Sequence, residues 1–174
     1  MEEINKNNNI RISIPQNNIE KFKQILFYVI EKVGRRPYMN ESILQKLLYF
    51  IDLDYYEKYE EQLMGLTYRK NEVRLVEGFN ELIDDMENNK ELVVISINPQ
   101  NNKYLLLYYY NGDDLSDRER QHIDEELKRL LDKNAEELGD LLYKDVPWIT
   151  AKEQGKIDYE AVFYRTAETS ARKY

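Results

Sequence analysis

The chain has 174 residues, enough for one domain with a core of its own. Its net charge of −8 argues against non-specific nucleic-acid binding, which needs a basic face. The absence of cysteine excludes disulfides, thiol nucleophiles and cysteine-ligated zinc, and no apolar run approaches the ~20 residues of a membrane span.

Residues 1–10 (MEEINKNNNI) are polar and without period, so they are expected to be flexible, with the domain formed by residues 11–174. They lack the apolar core of a secretion signal, which leads to a cytoplasmic expectation. RISI at 11–14 alternates and reads as a short strand ending at Pro15. Ile19, Phe22, Leu26, Val29 and Val33 repeat at three and four, which predicts a first helix over 18–33. Asn17 or Asn18 would cap it, and Gly34 would end it in a left-handed conformation.

A second helix is predicted from Asn40, a good cap, to Tyr59. Its apolar face of Ile43, Leu44, Leu47, Leu48, Ile51 and Tyr55 is broad enough to make it the central helix, packed on the first, with Leu47, Leu48 and Ile51 inaccessible. A third helix is predicted over 74–87, although Gly78 weakens its first turn by about 1 kcal/mol relative to Ala. LVVISI at 92–97 and KYLLLYYY at 103–110 read as strands joined by the turn NPQNN, hence a β-hairpin. SDRE at 116–119 is a capping box for a fourth helix, and NAEE at 134–137 opens a fifth. A short helix follows Val146-Pro147-Trp148 towards Gln154; residues 157–164 fit strand or helix. The fold class is therefore α+β: a mainly helical single domain with an inserted hairpin.

Catalytic chemistry is sparse. Glycines are scattered singly, so a phosphate-binding loop is absent. His122 is the only histidine and reads as a solvated residue on a charged helix, without a second His or a Cys to share a metal. Asp52 and Asp54 lie on different faces of the second helix, whereas Asp54 and Glu57 share one. A buried pair would be an acid/base candidate, but acids on so charged a helix read as solvent-facing. No cofactor, metal or enzymatic role is expected. Residues 113–145 carry twelve acids against six Lys or Arg, read as a solvated helix face, with steering of a basic partner as the alternative. Trp148 reads as a core plug rather than a partner hot spot, and Asp145 as the cap of the short helix rather than a partner contact.

Several stretches together carry more information than any of these groups. They are EKFKQILFYVIEKVG at 20–34, LQKLLYFIDLDYYEKYE at 44–60, GLTYRKNE at 65–72, DVPW at 145–148 and IDYEAVFYR at 157–165. Their order and spacing resemble the Panacea (SocA-like) antitoxin domain across nearly the whole chain. The resemblance implies an antitoxin that neutralises a cognate protein toxin by direct binding; the charge and the short apolar runs add the expectation of no nucleic-acid or membrane partner. The alternative is a proteolytic adaptor, or an accessory binding protein of a phage or mobile element. Two departures stand out: NEVRLVEGF where the family carries a Gly-Pro turn, and Leu142-Tyr143 where it carries Ser-His. For a binding protein, the concentration of tyrosine near the end of the second helix points to Tyr56, Tyr59, Tyr68 and Arg69 as partner-binding residues, with Asp145 and Trp148 as further candidates. Oligomeric state leaves no mark in the sequence.

Overall fold

A computed structural model describes residues 13–99 and 101–172. The expected flexible stretch at 1–10 and the first half of the RISI strand lie outside these; Ser13 and Ile14 have no regular structure. The elements are α1 (Ile19–Val33), α2 (Glu41–Tyr59), α3 (Phe79–Asn88), β1 (Leu92–Asn98), β2 (Asn101–Leu106), α4 (Asp117–Leu130), α5 (Ala135–Tyr143) and α6 (Val146–Thr150), followed by a 3₁₀ helix at Tyr159–Tyr164. The α+β, mainly helical architecture with one antiparallel hairpin is as the sequence predicts. No helix among the described residues is long and apolar enough to cross a membrane.

Helix α2 is the axis of the domain. Leu44, Leu47, Leu48, Phe50, Ile51 and Leu53 are all sealed from solvent, and each contributes on the order of 1.5–3 kcal/mol by burial. A helix apolar on one stripe packs on one side, but α2 is enclosed on several by α4, α5 and the 3₁₀ helix. Helix α1 shares the core but has β2 as its main neighbour, rather than α2 as expected.

Local signals set most boundaries. Asn18 accepts the Lys21 N–H, and Asn40 accepts the Ile43 N–H. Both capping boxes form, Ser116 with Glu119 and Asn134 with Glu137. Gly34 departs from expectation: it is right-handed, at φ −61°. The position needs glycine for a different reason. A Cβ there would lie 2.3 Å from the carbonyl oxygen of Tyr104, because β2 crosses directly over the end of α1.

Helix α3 begins later than predicted, at Phe79. Residues 74–77 stay extended, because Leu75 accepts the Arg69 N–H and Glu77 donates to the Thr67 carbonyl. Gly78, at φ +73°, then turns the chain into the helix. Strand β2 stops at Leu106 rather than Tyr110, and Tyr108 and Tyr110 instead pack their rings against Phe27. The outer edge of β2 is closed by the 34–39 loop: Asn102 N–H donates to Met39 and Tyr104 N–H to Gly34. Helix α6 ends at Thr150, short of Gln154, and residues 159–164 resolve as 3₁₀ helix.

Candidate functional site

The C-terminal half of α2 presents three acids, Asp52, Asp54 and Glu57, expected at the surface. All three are buried. The physical reason is that each finds enough internal donors to replace water. Two residues apart on a helix, Asp52 and Asp54 serve different clusters, as their spacing dictates.

Asp52 organises the loop that follows α2. Its Oδ1 accepts N–H groups from Met64 and Gly65 at 2.9 and 3.1 Å. Its Oδ2 accepts Leu66 N–H at 3.0 Å, and the hydroxyls of Tyr68 and Tyr159 lie 2.9 and 2.8 Å away. Burial raises its pKa from the ordinary carboxylate value, against the lowering effect of those backbone donors.

Asp54 and Glu57 converge on Arg165, whose side chain is fully enclosed. Arg165 Nη1 donates to Asp54 at 2.6 Å and Glu57 at 3.0 Å. Its Nε and Nη2 form a fork on the two oxygens of Asp145, both at 2.8 Å. Asp145 also accepts the Tyr49 hydroxyl at 2.7 Å. On the far side of Asp54, Arg129 donates at 2.5 Å and reaches Glu126 at 2.7 Å. Glu57 holds the chain beyond Arg165 by accepting from Ser170 Oγ and Ala171 N–H, while Arg172 Nε donates to the Glu57 carbonyl. Burial, then the neighbouring Glu126, pushes Asp54 up to about 7, against the pull of Arg165 and Arg129.

His122 corrects another expectation. It is buried, with Nε2 2.8 Å from the Ile51 carbonyl and Nδ1 3.4 Å from Lys58 Nζ. The carbonyl requires a proton on Nε2, and the ammonium requires Nδ1 as acceptor, so these partners fix the neutral tautomer. Burial, reinforced by Lys58, lowers its pKa to about 4. The highly charged α4 thus has a polar residue on its inward face, which its composition concealed.

The six residues expected to bind a partner do not form one patch. Tyr56 is buried, its hydroxyl bonded to Glu160 and its ring 5.5 Å from that of Tyr159. Tyr68 is buried on Asp52. Asp145 is buried too, and its side chain makes no cap hydrogen bond, because Arg165 and Tyr49 occupy both oxygens. Trp148 fills the core edge beside Tyr143, in line with the preferred reading. Tyr59 is 37% exposed, with the Arg118 guanidinium 4.3 Å above its ring. Arg69 lies elsewhere, paired with Glu77 and with the Gln154 carbonyl. Burial of Tyr56 and Tyr68 contradicts the exposed tyrosine cluster, leaving Tyr59 and Arg69 with different neighbours.

Arg165 was missed by sequence reasoning as a functional group, though it ends a quoted motif. The available signal was a lone cation closing the aromatic run AVFY, which burial would force into a pair. The two departures from the family pattern meet in space. Asn71 Oδ1 accepts the N–H groups of Val73 and Arg74, both at 2.9 Å, making with a side chain the turn that Gly-Pro would make. Glu72 in that turn and Tyr143 line one surface cleft with Trp148.

The chemistry of this interior is that of a clamp. Helix α2, the DVPW segment and the YEAVFYR segment are locked together by one arginine with three carboxylates. A lysine, a point charge without a planar fork, could not span them. Three of the five stretches that carried the resemblance meet here. Independently, a family model described as antitoxin SocA-like, Panacea domain, matches residues 44–149, more than half of the chain. No curated protein and no solved structure matches. The chain belongs to the SocA-like antitoxin family and carries its Panacea domain.

Proposed function

We propose that this protein is a cytoplasmic antitoxin that neutralises a cognate protein toxin by binding it directly. Family membership carries the reading. It is supported by the use made of the groups that could otherwise do chemistry: Asp52, Asp54, Glu57 and Asp145 are each committed to donors within the chain. The resulting domain keeps these groups inside and leaves its exterior for contact, as suits a protein that acts by binding.

We assign the toxin contact to the Tyr59–Arg118 platform and the adjoining exposed acids of α4. An aromatic ring under a guanidinium is a combination enriched at binding hot spots, where one truncation costs ~2 kcal/mol or more. The acids would steer a basic partner. The test is co-expression with the product of the neighbouring reading frame, scored by growth rescue and by co-purification. The wild-type chain should rescue and co-purify. Tyr59→Ala should lose both with an unchanged melting temperature. Rescue without a stable complex would overturn direct binding, and full rescue by Tyr59→Ala would move the contact to another face.

A further inference from the structure

The hairpin has an edge with a defined bonding pattern. In its register Val93 faces Leu105 and Ile95 faces Lys103. Asn102 and Tyr104 turn their N–H groups outward, to Met39 and Gly34. Backbone direction alternates along a strand, so Lys103 and Leu105 bond inward, and so do their partners Ile95 and Val93. Val94 and Ser96 therefore aim N–H and C=O away from β2, and among the described residues these groups have no backbone partner. The side chains alongside are apolar. Ile95, Ile97 and Leu107 are 46%, 58% and 50% exposed. The strand Leu92–Asn98 contains no charged residue, in a chain where one residue in three is charged. Soluble proteins ordinarily blunt such an edge with Lys, Pro or a covering loop.

We propose that this edge pairs with the same edge of a second copy, joining two hairpins into a four-stranded antiparallel sheet about a two-fold axis at Ile95. The spacing makes the edge self-complementary. With the axis there, Val94 of each copy faces Ser96 of the other, and the pair exchanges both N–H···O=C bonds. Ile95 meets its own counterpart in a non-hydrogen-bonded pair, where side chains come closest. Val93 faces Ile97 of the second copy, so one apolar stripe runs across the junction. A charge-free strand meets no repulsion from itself. Glu41 and Glu72 line a cleft shared with Ser96. Lys103, opposite Ile95, directs its Nζ to the Arg35 carbonyl at 3.0 Å. It would lie three strand spacings from its counterpart, about 14 Å, beyond the ~8 Å screening length. The edge offers few residues against the roughly 20–30 a side of a standard interface, so the dimer is weak and concentration-dependent. Its overall like charge makes it tighten as salt is raised.

Sedimentation velocity on the tag-free chain, from micromolar to millimolar concentration, tests this. The wild type should pass from monomer to dimer. Ser96→Pro removes only an outward N–H, and Ile95→Lys places two ammonium groups on the axis. Each should raise the dimer dissociation constant roughly tenfold or more, with unchanged circular dichroism. Ile95→Glu should do the same, and an equimolar mixture of Ile95→Lys and Ile95→Glu should dimerise again. If Ser96→Pro disturbs the fold, the Ile95 pair still decides, since that side chain points to solvent. A wild type that stays monomeric, a dimer indifferent to these changes, or a mixture that fails to associate would overturn the proposal. So would a monomer that loses its toxin on Ser96→Pro, which would assign the edge to that partner.

Discussion

The interior around Arg165 and the hairpin edge invert the usual distribution of polar and apolar groups in opposite ways. Beneath the motifs, four carboxylates and Arg165 sit where a core normally keeps hydrocarbon, with the half-exposed Arg129 reaching in from the surface. On β1, isoleucines face solvent. The first inversion is closed, every carboxylate having a donor inside the chain; the second is open. A closed polar network fixes one arrangement of its elements, because any slip strands a charge. An open edge constrains nothing internally and is available to a neighbour. Much of what makes the chain recognisable therefore serves its scaffold.

Substitutions should separate the two regions sharply. Arg165→Ala leaves Asp54, Glu57 and Asp145 buried without their shared cation, and should lower the unfolding free energy by about 3–5 kcal/mol in urea titration. Arg165→Lys should recover little of that loss; near-full recovery would show that charge alone suffices without the fork.

The next effect depends on pH. His122 is held neutral in the folded chain, with its pKa lowered from 6.5 to about 4. Its contribution is intact above pH 6.5 and lost as pH falls through about 4, which amounts to about 3 kcal/mol across that window. Asp54 runs the other way: its pKa is raised to about 7, so the folded state gains relative stability as pH drops below that value. The two partly cancel in the wild type. His122→Gln keeps a donor for the Ile51 carbonyl and removes one of them. Unfolding curves from pH 7 to pH 4 should show the variant losing about 3 kcal/mol less than the wild type; parallel curves would place the imidazole in water.

Tyr49→Phe deletes a single hydroxyl donor to Asp145 and should cost about 1–3 kcal/mol by the same titration. At the bottom of the scale, Ile97→Lys on the exposed hairpin face should change the unfolding free energy of the monomer by less than about 0.5 kcal/mol. A large loss there would mean that the face is packed within the chain and would erase the contrast.

Most of the scaffold was legible in the sequence because its signals are local. Asn40, Ser116 and Asn134 each cap the helix that follows within three residues, and the turn at 98–102 announces the hairpin. The errors fall where distant partners decide. Residues 74–77 have a helical pattern, but pairing with the 67–69 segment keeps them extended. Asp54 and His122 read as solvated because their partners, Arg165 and the Ile51 carbonyl, lie 111 and 71 positions away along the chain. Burial of the tyrosines was the least legible. Tyrosine enrichment identified neither Arg165 nor the edge of β1, since composition does not distinguish a ring that seals a core from one that faces a partner.

The order of groups along the chain carries a consequence for synthesis. Asp54 and Glu57 precede Arg165 by 111 and 108 positions, and Asp145 precedes it by 20. At translation rates of roughly 5–20 residues per second, the acids of α2 emerge on the order of ten seconds before the arginine that neutralises them. For much of that interval Asp54 has only Arg129 to draw on within the chain and Glu57 has no side-chain donor, so water must satisfy the rest. The second half of α2 can thus seal into the core with its acids fully paired only once the segment from Arg165 to Ala171 has been made.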